Sequence, residues 1–196
     1  MMVKICGITN SGDAAAAAEG GASALGFNFY PKSLRYIAPD QAQPILDSLP
    51  ASVLKVGVFV NEPAAAVAAL ASRIGLDVVQ LHGESAEVPA GLRVWRAVAV
   101  EPGFDVAALD DLKAEAFLLD APSGLLYGGT GRSFDWSLAR GARRPVILAG
   151  GLDETNVRRA IEAAEPWGVD ACSRLESAPG RKDRRRLAQF LEAALS

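Results

Sequence analysis

Eight short apolar runs recur along the chain: Val3–Gly7, Ala24–Phe29, Lys55–Val60, Val78–His82, Arg93–Val100, Ala116–Asp120, Pro145–Gly150 and Val169–Ser173. Most are continuous rather than alternating, the mark of strands buried on both faces, as in parallel sheets. Their starts lie roughly 15–30 residues apart, room for a strand, a helix and two loops. Helical candidates fill the gaps at Asp13–Glu19, Asp40–Leu49, Ala64–Ile74, Glu154–Ala164 and Arg184–Leu195. Pro44 is read as lying near a first turn, where proline is tolerated. Asp105–Leu112 and Asp135–Ala139 predict short helices, and the gap after His82 has room for a single turn.

Strand–helix alternation of this kind predicts an α/β protein, either a closed barrel or a doubly wound open sheet. Eight repeats favour the (β/α)8 TIM barrel. At 196 residues the chain is shorter than the typical barrel of about 250. Short or irregular helices after strands 4 and 5 absorb the deficit. No stretch reads as a linker, so residues 1–196 are expected to form one domain.

Composition then narrows the function. The formal net charge of −3 gives no overall attraction for nucleic acid or anionic lipid. Cys6 and Cys172 are the only cysteines and His82 the only histidine, so no Cys/His metal site and no disulfide scaffold are expected. The opening MMVKICGITN lacks the layout of a secretion signal. No apolar run is long enough for a bilayer. The expectation is a cytoplasmic protein with no membrane or nucleic-acid partner, monomeric or homodimeric.

In a barrel, the loops after the carboxyl ends of the strands build the site. Those ends carry Cys6-Gly7, Asn28 to Arg35, Asn61, His82-Gly83, Arg96, Asp120, Gly150-Gly151 and Ser173-Arg174. Cys6 by itself reads as either a small buried hydrophobe or a nucleophile or base. Asp120 follows four apolar residues, where a carboxylate needs a partner or a task. Arg35 suits bidentate carboxylate binding, as against a solvated loop arginine. Gly128-Gly129-Thr130-Gly131 and Gly150-Gly151 permit close backbone approach to a ligand. The second pair, with Ser173 following at the eighth strand, falls where barrels often hold phosphate. His82 is read as a local hydrogen-bonding group. Arg181-Lys182 and Arg184 to Arg186 are read as the solvated face of the last helix.

The motifs together are specific. Lys4-Ile5-Cys6-Gly7-Ile8-Thr9, Gly26 to Ser33 with Arg35-Tyr36, and Val56 to Asn61 resemble the phosphoribosylanthranilate isomerase family. So do Gln80-Leu81-His82-Gly83, Asp120 with Gly128 to Gly131, Phe134-Asp135-Trp136, Leu148 to Leu152 with Asn156-Val157, and Gly168-Val169-Asp170 with Ser173, Glu176 and Pro179-Gly180-Lys182-Asp183. The resemblance implies a TIM-barrel isomerase of tryptophan biosynthesis acting on a small phosphoribosyl substrate without metal or cofactor. Its reaction is an Amadori rearrangement of N-(5-phosphoribosyl)anthranilate to 1-(2-carboxyphenylamino)-1-deoxyribulose 5-phosphate. It also implies Asp120 as general acid, Cys6 as general base, Arg35 on the anthranilate carboxylate, and the backbone at Gly151, Ser173 and Arg174 on the phosphate.

Two stretches depart from the family pattern. Cys172-Ser173-Arg174 stands where the family has two serines and a glycine, and Leu34 replaces a proline. An ordinary φ at Arg174 would keep its backbone N–H available for phosphate. Cys6 and Cys172 should lie on neighbouring strands with inward side chains staggered in height, so no disulfide is expected. The alternatives are another phosphosugar barrel, such as the related histidine-pathway isomerase with aspartate on its first strand, or a non-catalytic phosphosugar-binding barrel.

Overall fold

The structure, a computed structural model, describes residues 1–83, 89–122 and 133–196. Eight parallel strands close into a barrel in sequence order. They are β1 (Met2–Cys6), β2 (Ala24–Asn28), β3 (Leu54–Val60), β4 (Val78–His82), β5 (Arg93–Ala99), β6 (Ala116–Asp120), β7 (Val146–Leu148) and β8 (Gly168–Ala171). The seam is the pairing of β1 with β8, in the register Lys4↔Asp170 and Ile5↔Ala171. The expected barrel is thus the observed one.

The two-fold period of a strand explains why these runs are apolar throughout. Val3, Ile5, Leu25, Phe27, Val79, Phe117, Leu119 and Val169 point outward and pack in one core with the helices. Met2, Ala24, Val56, Val78, Trp95, Ala116, Leu118 and Ile147 point inward and fill the barrel. Trp95 is completely buried and meets Trp167 edge-on at a centroid distance of 5.8 Å. Each fully buried large side chain contributes about 1.5–3 kcal/mol.

The outer layer is α1 (Ser11–Glu19), α2 (Pro39–Ser48), α3 (Ala64–Ile74), α4 (Val157–Ala164) and α5 (Arg184–Leu195). Among the described residues, 3₁₀ segments follow β5 (Val106–Asp111) and β6 (Trp136–Ala139). Most of the expected turn after β4, at 84–88, and the glycine cluster Gly128 to Gly131 lie outside the described residues. Asn10 caps α1 by accepting from the Asp13 N–H at 2.9 Å, and Asp183 caps α5 by accepting from Arg185 and Arg186 N–H.

Three local readings change. Helix α2 begins at Pro39, so Pro44 lies inside it, beyond the first turn, and removes one helical hydrogen bond. The seventh strand is only three residues long. Its glycines Gly150 (φ 81°) and Gly151 (φ 64°) turn the chain out of the sheet. The basic run near the end is not one solvated face. Residues Glu176–Ala178 (β9) and Arg181–Lys182 (β10) form a small antiparallel hairpin, and Lys182 is buried. Its Nζ lies 3.2 Å from Glu176 Oε1, and its N–H donates to Asp13 Oδ2 at 2.7 Å. That bond fastens the hairpin to the start of α1.

Candidate active site

The first strand carries Lys4 and Cys6 on its inward face, two residues apart. Lys4 has no exposed surface, and its Nζ lies 2.8 Å from Asp170 Oδ1 on the paired strand. Cys6 sits one step nearer the barrel mouth. An open cleft of about 490 Å³ there is lined by Cys6, Gly7, Asn28, Ser33, Arg35, Gln80, His82, Asp120, Asp170 and Cys172. A second recess continues from it over Asp120, Gly150, Gly151, Ser173 and Arg174. The structure therefore brings all six expected residues to one rim, with Asp120 shared by both spaces.

Gly7 shows how tight that rim is. Its φ is +74°, and a Cβ there would come within 2.8 Å of Cys172 Sγ and 3.0 Å of Arg35 Cγ. Only glycine satisfies both the backbone and the space. Cys6 and Cys172 also lie close together, each thiol shifting the ionisation of the other. The expected stagger does not separate them, because the register Ile5↔Ala171 carried one residue further sets Cys6 beside Cys172. Both thiols are free.

The acid–base groups are tuned in opposite directions. The Cys172 thiol lies beside Cys6 and the Lys4 ammonium faces it. Together they draw Cys6 below the ordinary thiol range against the opposing effect of burial. Cys172, beside the Cys6 thiolate and buried, is pushed well up. Burial, aided by the Asp170 carboxylate, pushes Asp120 up to about 7. Asp120 Oδ1 accepts from the Ala121 N–H at 2.8 Å. His82 is driven down to about 4 by burial and by Lys4, and its Nε2 pairs with Gln80 Nε2 at 2.7 Å. A neutral ring accepting there fits the expected hydrogen-bonding role.

Arg35 is held rather than loose. Its Nη2 and Nε donate to Glu176 Oε2 at 2.8 and 3.2 Å. Glu176 is kept ionised by this arginine and by Lys182. The loop itself is tied by Asn28: its Oδ1 accepts from the Tyr30 N–H, and its Nδ2 donates to Ser33 Oγ. Ser33 Oγ accepts from the Arg35 N–H as well. Leu34, in the same loop, is 73% exposed and takes no part in these bonds.

At the second recess, Asn156 pins the glycine turn by donating to Gly151 O and accepting from the Asp153 N–H. Arg174 has an ordinary φ, since the only non-glycine positive values among the described residues are at Asn61 and Glu165. Its Nη1 lies 3.4 Å from Asp153 Oδ2. The substitution of arginine for glycine thus stores no left-handed strain.

Lys4, Asp170, Glu176 and Lys182 were given no role from sequence. For Lys4 a signal existed: residues i and i+2 of a strand share a face, so Lys4 follows Cys6 inward. For Glu176 and Lys182 the turn dipeptide Pro179-Gly180 was the available hint of a hairpin.

Fold and cleft together define the class: a (β/α)8-barrel enzyme with its polar groups gathered at the carboxyl ends of the strands. Residues 3–193 match the family described as N-(5'phosphoribosyl)anthranilate (PRA) isomerase. The chain is 52% identical to the N-(5'-phosphoribosyl)anthranilate isomerase of Solibacter usitatus (strain Ellin6076) over 196 residues, 99% of this chain and 97% of that one. It is similar in structure to phosphoribosyl anthranilate isomerase from Thermus thermophilus, with a TM-score of 0.91 and 36% identity across 100% and 98% of the two chains. It is likewise similar to a phosphoribosyl anthranilate isomerase solved in complex with reduced 1-(o-carboxyphenylamino)-1-deoxyribulose 5-phosphate. There the TM-score is 0.85 and the identity 39%, across 100% and 98% of the two chains. The chain belongs to the N-(5'-phosphoribosyl)anthranilate isomerase family.

Proposed function

We propose that this protein converts N-(5-phosphoribosyl)anthranilate to 1-(2-carboxyphenylamino)-1-deoxyribulose 5-phosphate, a step of tryptophan biosynthesis. The observation that carries the reading is the pairing, in one cleft, of a thiol tuned toward its anion with a carboxyl tuned toward its acid. Asp120 protonates the ribose ring oxygen, the C1–O bond breaks, and the anthranilate nitrogen lone pair forms the iminium. Cys6 as thiolate takes the proton from C2. The resulting enolamine loses its O2 proton and gains one at C1, giving the aminoketone. The recess lined by Gly151, Ser173 and Arg174 is assigned to the phosphate, with backbone N–H groups as donors. Asp153 holds the Arg174 guanidinium beside that recess, which adds positive charge there. Arg35, oriented by Glu176, is assigned to the anthranilate carboxylate.

Residues 1–196 are taken as one domain, since the strand pairing runs unbroken from β1 round to β8. No helix among the described residues is long and apolar enough to cross a membrane. We assign the reaction to the cytoplasm, as a monomer or homodimer.

Turnover of phosphoribosylanthranilate generated in the assay tests the reading, and no turnover by folded protein would overturn it. The pH profile of kcat/KM tests the roles. The active form needs Cys6 ionised and Asp120 protonated. Activity therefore rises with pH through a thiol limb below the ordinary value of about 8.5 and falls as Asp120 loses its proton near about 7. An acid limb at or above the ordinary thiol value would remove Cys6 from the role of base.

Arg35→Ala is expected to raise KM with little change in kcat, because the carboxylate it meets is remote from C1 and C2. Folding should survive, since Glu176 keeps the Lys182 ammonium and the Gly180 N–H. A charge-assisted hydrogen bond is worth about 1.5–3 kcal/mol, or roughly tenfold to a hundredfold in KM. An unchanged KM would return Arg35 to a structural pairing with Glu176.

A further inference from the structure

We propose that Cys6 and Cys172 together form a reversible oxidation site, in which a hydroperoxide entering the cleft links the two thiols as a disulfide. Several observations converge on it. The β1–β8 register ends at Ile5↔Ala171, one residue before Cys6 and Cys172. At that last pair the strands lie about 4.7–4.9 Å apart, so the chain reaches Cys6 and Cys172 from within the Cα separation of about 4.4–6.8 Å that disulfides span. Both thiols line the same cleft, and neither is fully buried. Gly7 contributes no Cβ to the space beside Cys172 Sγ. Cys172 has left the strand, with φ −138° and ψ −88°, so its side chain is not bound to the pleat. Lys182 Nζ lies 3.8 Å from Cys172 Sγ, and a Cβ at Gly26 would come within 2.7 Å of Cys6 Sγ and 3.0 Å of Lys4 Nζ, which places the Lys4 ammonium close to that thiol. Cationic neighbours of this kind favour thiolate, the reactive form.

The chemistry is a two-step exchange. The Cys6 thiolate attacks one peroxide oxygen. The S–O bond forms, the O–O bond breaks, and the leaving hydroxide (or alkoxide) takes a proton. Cys6 is now a sulfenic acid, oxidised by two electrons. Its negative charge is gone, and with it the repulsion that had disfavoured ionisation of Cys172. The Cys172 sulfur then attacks Cys6 sulfur. The S–S bond forms, the S–O bond breaks, and hydroxide leaves as water with the Cys172 proton. With hydrogen peroxide, two thiols and one oxidant become one disulfide and two waters. A dithiol reductant reverses the link by exchange. Glu176 Oε1, 3.8 Å from Cys172 Sγ, stands where that proton can be relayed.

The sulfur chemistry is independent of the proposed isomerase reaction, and only its effect on turnover rests on that reading. The test is treatment of the full chain with hydrogen peroxide. Thiols titrated in denaturant should fall from the 2 of the sequence to none. The intact mass should drop by two hydrogens, and a non-reducing peptide map should join Cys6 to Cys172 within one chain. Turnover should be lost in step and return with dithiothreitol. In Cys172→Ser, excess peroxide should instead add oxygen to Cys6, and dithiothreitol should not recover the loss once sulfinic acid forms. Two thiols persisting after treatment, oxygen added to Cys6 of the unaltered chain without a link, or a link only between chains would each overturn the proposal. If the chain showed no isomerase turnover, thiol count and mass would still decide the matter.

Discussion

Cys6→Ser and Asp120→Asn are each expected to lower kcat by about 10²–10⁴-fold, the usual contribution of a positioned proton-transfer group. Asparagine keeps the shape of Asp120 and the acceptor for the Ala121 N–H, but it has no proton to give the ring oxygen. Serine keeps the bond geometry at position 6 but does not ionise in the neutral range, so neither Lys4 nor Cys172 makes it a base. The two losses should differ in pH behaviour. Cys6→Ser should abolish the acid limb of the profile, and Asp120→Asn the alkaline one. Because the Cys6 thiolate itself helps to keep Asp120 protonated, the losses should also be less than additive. Steady-state kinetics beside circular dichroism of each variant checks this. Either variant retaining near-full kcat, with chemistry rate-limiting, would remove that residue from the mechanism.

The barrel was legible because its evidence is periodic and local. Continuous apolar strands with polar residues at their exits repeat eight times, and both cores follow from that repetition. Cys6, Asp120 and the Gly150-Gly151 turn were legible for the same reason: each ends an apolar run. Other features depend on register and on pairs distant in sequence. Whether Cys6 and Cys172 touch is settled by the β1–β8 register, and a rule about alternating layers was too coarse for it. The basic run looked like a helix face because Lys182 lies two residues before α5. A carboxylate six residues earlier, Glu176, and a carboxylate in the first turn of α1, Asp13, take it inward instead. The same Glu176 holds Arg35, a residue 141 positions away. No periodicity in a single segment encodes such a pairing.

The largest stability effect is expected at the base of the site, where Lys4 and Asp170 join β1 to β8. Lys4 is wholly buried and Asp170 nearly so. Burial alone would discharge the ammonium. The Asp170 carboxylate and the Cys6 thiolate outweigh that and hold its pKa above the usual lysine value. Lys4→Met fits the space but leaves the carboxylate uncompensated, which costs about 3–5 kcal/mol when one partner of a buried pair is removed. For a chain of this length each kcal/mol moves Tm by about 2–4 °C, so a fall of roughly 6–20 °C should be seen. Replacing both partners, as Lys4→Met with Asp170→Leu, should recover much of the loss, because the cost lies in the stranded charge and not in the absence of a pair. Lys4→Met should also raise the thiol limb of the kcat/KM profile, since the ammonium is one of the groups that draws Cys6 down. Urea unfolding followed at constant m, with the pH profile of the surviving enzyme, reads both effects. A single variant within about 0.5 kcal/mol of the parent, the range of an ordinary surface change, would show that the pair does not hold the seam. An unmoved thiol limb would show that Lys4 does not set the base.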